Sequence, residues 1–422
     1  MKKLKLILIL IVGLSFKIQA QELDVNLQLR PRFEYRNGYK QPLSYGQEGT
    51  SQISQRSRLG INYKQDDLIV KLTFQNTRTW GDVPPATVAD KNGVAVFEAW
   101  AQYNFTEKWS ARMGRQVLSY DNQRILGEMD WAQQGQSHDA LIVTYQTEKQ
   151  KLDFGGAYNS TAENVVQTPY TVANYKAMQY AWYHNQFNEN LGASFLLLNT
   201  GYEYAPNPAP STKLLVDYMQ TFGPYLTYKK GKIDTSFWLY GQTGKNTDQQ
   251  VSAWNAATNF GYNITNAFKV GLGYEFLSGK DSNDGSTVIK SFNPIFGTNH
   301  GLNGYMDYFY VGNHLKSVGL QDAFIKLNYN VNKWQFALIP HVFLSAADVV
   351  TPVNEKLDSY LGTEVDATFG YNFRKNITVT GGYSQMFGSK TMEFVKGGDT
   401  SHTNNWAWLM ISVDPKIFSW KK

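Results

Sequence analysis

The sequence predicts an all-β chain, a transmembrane antiparallel β-barrel of about eighteen strands with short periplasmic turns and long extracellular loops. Three observations carry that expectation: an export signal followed by no second apolar run, a hairpin repeat with a spacing of about forty residues, and strict two-residue alternation beside each turn.

The export signal comes first. Met1-Lys2-Lys3-Leu4-Lys5 is a basic leader, Leu6 to Phe16 is an apolar run, and Ile18-Gln19-Ala20 ends on a small residue. This is the layout of a cleaved signal peptide over residues 1–20, with the barrel domain over 21–422. The apolar run is too short to cross roughly 30 Å of hydrocarbon as a helix. The chain has no cysteine, which removes disulfides and thiolate metal sites together. Four lysines and no acid lie in residues 1–20, so the formal charge of +5 falls to about +1 without them. Nucleic-acid binding therefore has no global electrostatic support. A mean hydropathy of −0.41 argues against a helical membrane protein.

The hairpins follow in order. An aromatic, a short polar turn and another apolar residue recur at Tyr63–Leu68, Phe105–Trp109, Tyr145–Leu152, Phe187–Leu191, Tyr228–Ile233, Tyr262–Ala267, Tyr329–Trp334 and Tyr371–Ile377. Beside the turns, Leu68, Val70, Leu72 and Phe74 alternate with Ile69, Lys71, Thr73 and Gln75. Phe268, Val270, Leu272, Tyr274 and Phe276 alternate with Lys269, Gly271, Gly273 and Glu275. Residues i and i+2 share one face of a strand, so one face is apolar and the other polar or small. The polar faces suit a hydrated lumen, and the aromatics at the turns suit an interfacial girdle. One strand before the first hairpin (23–36) and one after the last (403–413) complete eighteen, with both ends on the periplasmic side. Nine longer loops are expected at 37–50, 80–93, 119–138, 160–175, 202–213, 244–250, 279–318, 347–357 and 388–402. Asp414-Pro415 is expected to end the closing strand early, because proline donates nothing to a ladder.

The arginines are unevenly spread. Nine of the ten lie between residues 30 and 124, and only Arg374 lies beyond. Strand parity turns Arg30, Arg32, Glu34 and Arg36 away from Leu27, Leu29, Phe33 and Tyr35. The same rule turns Arg56, Arg58, Lys71 and Arg112 inward, with Glu98 among them. An arginine at mid-membrane on the lipid face costs about 2–4 kcal/mol, so the lumen is the cheap place for these groups. Arg115 breaks parity after Gly114 and is expected at a bulge; Arg78 is expected near the outer rim. A basic arc in a confined lumen concentrates anions. The plainer alternative is an Arg–Glu network that only stiffens the wall.

Several stretches resemble the alginate export porin family of outer-membrane barrels: Arg30-Pro31-Arg32-Phe33-Glu34, Gln55-Arg56-Ser57-Arg58-Leu59-Gly60, Phe74 to Arg78 with Trp80-Gly81, Glu98-Ala99-Trp100, and Gly114 to Tyr120 continuing to Arg124, Gly127 and Trp131. The likeness covers roughly residues 25–140. It implies an arginine-lined constriction that passes anionic polysaccharide, with Arg30, Arg32, Arg56, Arg58, Arg115 and Arg124 at or near the pore. The long plug-like turn of that family's polyuronate exporter has no counterpart here, since every turn is short.

The expected function is an outer-membrane, porin-like channel for diffusion or export of anionic saccharide such as alginate-like uronates. A general anion-selective porin and a non-conducting structural or receptor barrel are the alternatives. Its surroundings are outer-membrane lipid, with a periplasmic partner left open, and no catalytic group, cofactor or metal is expected. The six histidines show no paired metal spacing, and Asp281-Ser282-Asn283-Asp284-Gly285 lacks the later glutamate of a calcium loop. A His138–Asp139 pair beside Ser137 is the one arrangement that would serve a hydrolase. The segment from Phe292 to His300, followed by Gly304-Tyr305-Met306-Asp307, is expected to be an aromatic loop folding over or into the mouth.

Overall fold

A computed structural model describes residues 21–87, 89–172, 174–206, 213–298, 300–310 and 312–422. The expected signal peptide, and residues 207–212 of the loop expected over 202–213, lie outside the described residues.

The chain forms a single closed antiparallel sheet. Its strands are β1 (Gln21–Asn37), β2 (Thr50–Gln65), β3 (Leu68–Thr79), β4 (Ala95–Asn104), β5 (Trp109–Gln116), β6 (His138–Gln146), β7 (Gln150–Tyr158), β8 (Ala177–Gln186), β9 (Leu191–Tyr204), β10 (Leu215–Lys230), β11 (Ile233–Asn246), β12 (Gln249–Asn263), β13 (Phe268–Leu277), β14 (Leu320–Val331), β15 (Trp334–Leu344), β16 (Tyr360–Arg374), β17 (Ile377–Gly388), β18 (Asn404–Val413) and β19 (Lys416–Lys421). From β1 to β18 each strand pairs with its sequence neighbour, and β1 closes the ring by pairing with β2 on one side and with β18 and β19 on the other. Closure leaves no edge, so every backbone polar group at membrane depth can find a partner within the sheet.

β18 and β19 are one crossing interrupted at Asp414-Pro415, which gives eighteen staves. The expected early stop is therefore only a break. Pro415 cannot donate, but its carbonyl accepts the Leu27 N–H at 3.0 Å. The ladder to β1 then shifts register between Val25 and Asn26 and runs on through Phe418 and Trp420.

All eight short turns stand where the repeat puts them, and both described ends lie at that end of the barrel, where Lys422 donates its N–H to Gln21 at 2.9 Å. The aromatics beside the turns face outward and meet across strands: Trp109 and Tyr145 lie 5.0 Å apart, and Trp334 and Tyr371 4.4 Å. The expected loop over 244–250 is instead a two-residue hairpin at Thr247 and Asp248, with Thr247 at φ 56°. A ladder above the membrane needs hydrogen bonds but no apolar face, so the polar run Gly244 to Gln250 stays in strand.

At the opposite end two long connections turn inward. The loops over 117–137 and 278–319 contribute Leu118, Ile125, Leu126, Phe292, Phe296, Met306 and Tyr308 to one buried cluster with inward residues of the wall such as Trp238, Tyr240, Phe343 and Trp406. A short helix, α1 (Lys390–Lys396), lies in the loop after β17; Ser389 caps it by accepting the Met392 N–H at 3.2 Å.

Candidate functional site

Parity places the basic wall as expected. Leu27, Leu29, Phe33 and Tyr35 of β1 are exposed on the outer face, while Arg30, Arg32 and Glu34 are buried inside. Arg30 and Arg56 are direct partners across β1 and β2, and Arg58 faces Gln75 across β2 and β3.

These guanidiniums converge on the tip of the loop over 117–137. Asp130 takes Arg30 at 3.0 Å and Arg56 at 2.8 Å, and Arg58 stands 4.0 Å away. Arg30 also donates to the Asp130 carbonyl at 2.7 Å, and Arg32 to the Trp131 carbonyl at 2.7 Å. Neutral contacts add to the grip: Gln75 donates to the Gln134 carbonyl at 2.9 Å and Gln133 to Ser54 at 3.0 Å. The wall therefore holds the loop that narrows the lumen. Asp130 itself stays half exposed.

Glu34 organises the upper part of the wall. It is fully buried, pairs with Arg32 at 3.1 Å and Arg36 at 3.0 Å, and accepts the Trp406 indole N–H at 3.2 Å. Arg32 also lies 4.0 Å over the Trp131 ring. Together with Tyr39, Lys40 and Arg78 these groups line a polar vestibule of about 380 Å³ at the loop end of the barrel. Arg78 pairs with Asp90 at the rim, as expected.

Phe97 is a wall residue that parity alone does not find. The β3–β4 ladder slips between Thr73 and Phe74, so that Thr73 faces Glu98 and Phe74 faces Val96. A bulge of this kind re-aims a side chain. Here it turns Phe97 inward, where its ring lies 3.7 Å from the Arg58 guanidinium. Toward the turn end, Lys71 pairs with Glu98 at 2.6 Å, and Arg112 lies 5.1 Å over Trp100.

Two expected positions fall elsewhere. Arg115 shows no bulge: β5 keeps continuous register with β4 and β6, with Arg115 opposite both Ala99 and Asp139. It therefore shares the outward face of exposed Trp109 and Met113 and pairs with Asp139 at 2.9 Å, away from the lumen. Arg124 is inside but not on the basic wall. It crosses to β13, where it pairs with Glu275 at 2.8 Å, and it donates to Asn303 at 2.7 Å.

That crossing reveals a group of carboxylates on the far wall that the sequence reading did not single out as a site. Glu275, Asp322, Glu364 and Asp366 are all buried on inward positions of β13, β14 and β16. They anchor the loop over 278–319. Asn303 donates to Glu275 at 2.8 Å and to Asp322 at 3.2 Å, Tyr305 N–H reaches Asp366 at 3.2 Å, and Met306 N–H reaches Glu364 at 2.7 Å. The two infolded loops also meet each other: Gly127 N–H donates to the Phe296 carbonyl at 2.9 Å, and His300 stacks on Trp131 at 4.1 Å. The aromatic loop thus folds into the mouth. The acidic parity of β16 was the available signal, since Glu364 and Asp366 alternate with Val365 and Ala367.

The hydrolase arrangement does not form. His138 points inward to Tyr175, at 2.9 Å, while Asp139 points outward to Arg115. Asp284 is taken by Lys290 at 2.8 Å, and Asp281 accepts the Asp348 N–H at 2.8 Å, so that segment is a turn.

A family model described as alginate export matches residues 21–159. No curated protein matches the sequence. Among solved structures, OccK9 (OpdG) of Pseudomonas aeruginosa is similar with a TM-score of 0.65 at 14% identity, covering 95% of this chain and 98% of that one. The outer membrane protein opdK of Pseudomonas aeruginosa gives a TM-score of 0.62 at 12% identity, covering 95% and 99%. OccAB1 of Acinetobacter baumannii gives 0.65 at 13%, covering 94% and 97%. The chain is an eighteen-stranded β-barrel that carries the alginate export family's pattern in residues 21–159 and, over nearly its whole length, the fold of these outer-membrane proteins.

Proposed function

We propose that this protein is an anion-selective outer-membrane channel for small carboxylated solutes, including carboxylated saccharides of short length. The observation that carries the reading is the basic wall around the vestibule. Arg30, Arg32, Arg36, Arg56 and Arg58 pair with only two carboxylates, Asp130 and Glu34, while Asp82 and Asp307 share the vestibule with Lys40 and Arg78. The surplus positive charge faces a narrowed, low-dielectric passage, where it raises local anion concentration. The two infolded loops favour small solutes over a long polymer. One structurally similar channel, OpdK of Pseudomonas aeruginosa, is described with vanillate, a small carboxylate. Export of an alginate-like polymer is the second reading, favoured by the family match over residues 21–159.

Purified protein in a planar bilayer is expected to conduct and to show an anion-directed reversal potential in a salt gradient. Replacing Arg32, Arg36 and Arg58 together by Ala is expected to abolish that preference, whereas Arg115→Ala leaves it intact. A barrel that conducts nothing, or whose selectivity ignores the triple replacement, overturns the proposal. Block by oligouronates longer than the vestibule would favour the polymer reading.

A further inference from the structure

Below the infolded loop, away from the basic wall of β1 and β2, the barrel holds a second cavity of about 520 Å³. That is within the size range of small-molecule sites, roughly 300–1,000 Å³. Its ceiling is the segment 301–305, fixed by the bonds of Asn303 and Tyr305 to Glu275, Asp322 and Asp366. Its sides are inward positions of β11 to β15.

Two side chains on one face of β14 define its chemistry. Phe324 lies flat on Gly273, where an added Cβ would come within 2.1 Å of the ring, and the His341 ring stands 5.1 Å away. The ring is thus seated on Gly273, with the buried His341 ring tilted at 36° beside it, and it lines the cavity. Two residues along, on the same face, is Lys326. Among the described residues its ammonium makes no ion pair and no hydrogen bond. The acids that could neutralise it are engaged already: Asp234 with Lys269 at 2.6 Å, Glu275 with Arg124 at 2.8 Å, and Asp322 with His341 at 2.8 Å. Asn259 and Asn328 present amides, each with donor and acceptor, to the same space.

We propose that this cavity is a binding station for a hydroxylated ring carboxylate of about one sugar unit. The Lys326 ammonium takes the carboxylate, a charge-assisted contact strengthened by the low local dielectric. The Phe324 face packs against the C–H face of the ring, and the asparagine amides meet the hydroxyls. The inference rests on the anion-channel reading for how the solute arrives, but not for whether the site binds.

The test is calorimetric titration of the folded barrel in detergent with D-glucuronate, with D-glucose and acetate as controls. One-site binding of glucuronate is expected, with both controls weaker, because glucose lacks the charge and acetate the ring. Lys326→Met and Phe324→Ala are each expected to weaken glucuronate by roughly tenfold or more, and Lys326→Arg to retain it. Heat-modifiable electrophoretic mobility checks that each variant is folded. No glucuronate binding by the native barrel, or an affinity unchanged in Lys326→Met, overturns the proposal. Bilayer recordings separate it from the channel reading: Lys326→Met is expected to keep anion preference while shortening glucuronate blockades. A barrel that binds glucuronate through Lys326 yet conducts nothing would overturn the channel and leave the station standing.

Discussion

At the scale of residues, the decisive feature is the imbalance between guanidiniums and carboxylates on the basic wall. Asp130 serves three arginines at once, and Glu34 serves two. Arg30 and Arg56 are almost wholly buried, so much of their charge is spent on fixing the loop tip, whereas Arg36 remains open to the vestibule. Arg30 and Arg56 thus stiffen the wall, and the proposed anion pathway rests on the members that line the vestibule, Arg32 and Arg36. Asp130→Asn removes the one negative charge these three share. It is expected to increase anion preference in the reversal-potential measurement and to make the 117–137 loop more open to limited proteolysis. An unchanged reversal potential would mean that Asp130 does not set the field in the passage.

At the scale of elements, the barrel depends on a few places where the chain departs from regular strand. Gly114 has φ 123°, and an added Cβ there would come 2.2 Å from the Ala99 carbonyl on the neighbouring strand. Only glycine adopts this conformation at so close an approach. Gly114→Ala is therefore expected to destabilise the β4–β5 ladder by about 1–3 kcal/mol, seen as a lower unfolding temperature in the heat-modified gel shift. The bulge in β4 acts differently, since it changes the aim of Phe97 without breaking the wall. The break at Asp414-Pro415 is a third case, in which a lost donor is bypassed by a carbonyl that still accepts.

At the scale of the whole molecule, closure and infolding divide the work. The ring of strands supplies stability, and the loops over 117–137 and 278–319 decide how much of the lumen is open. Replacing residues 280–317 by a short Gly-Ser turn is expected to raise single-channel conductance severalfold while the barrel still folds, because the loop's anchors lie on side chains of β13, β14 and β16 rather than in the ladder. Conductance unchanged by that replacement would show that the current does not pass beside this loop. The sequence by itself determined the hairpin count, the closed antiparallel barrel and the inward facing of Arg30, Arg32, Arg56, Arg58, Lys71 and Arg112, because two-residue alternation and turn chemistry are local properties. It also carried the outward parity of Arg115, which only continuous register with β4 and β6 made plain. Tertiary structure alone decided that Asp130 would gather three arginines, that Arg124 would cross to Glu275, that a bulge would turn Phe97 inward, and that Lys326 would stand beneath the loop with no ion-pair partner among the described residues. Those outcomes depend on which distant segments share the lumen, and long-range pairing inside a closed ring leaves no periodic trace along the chain.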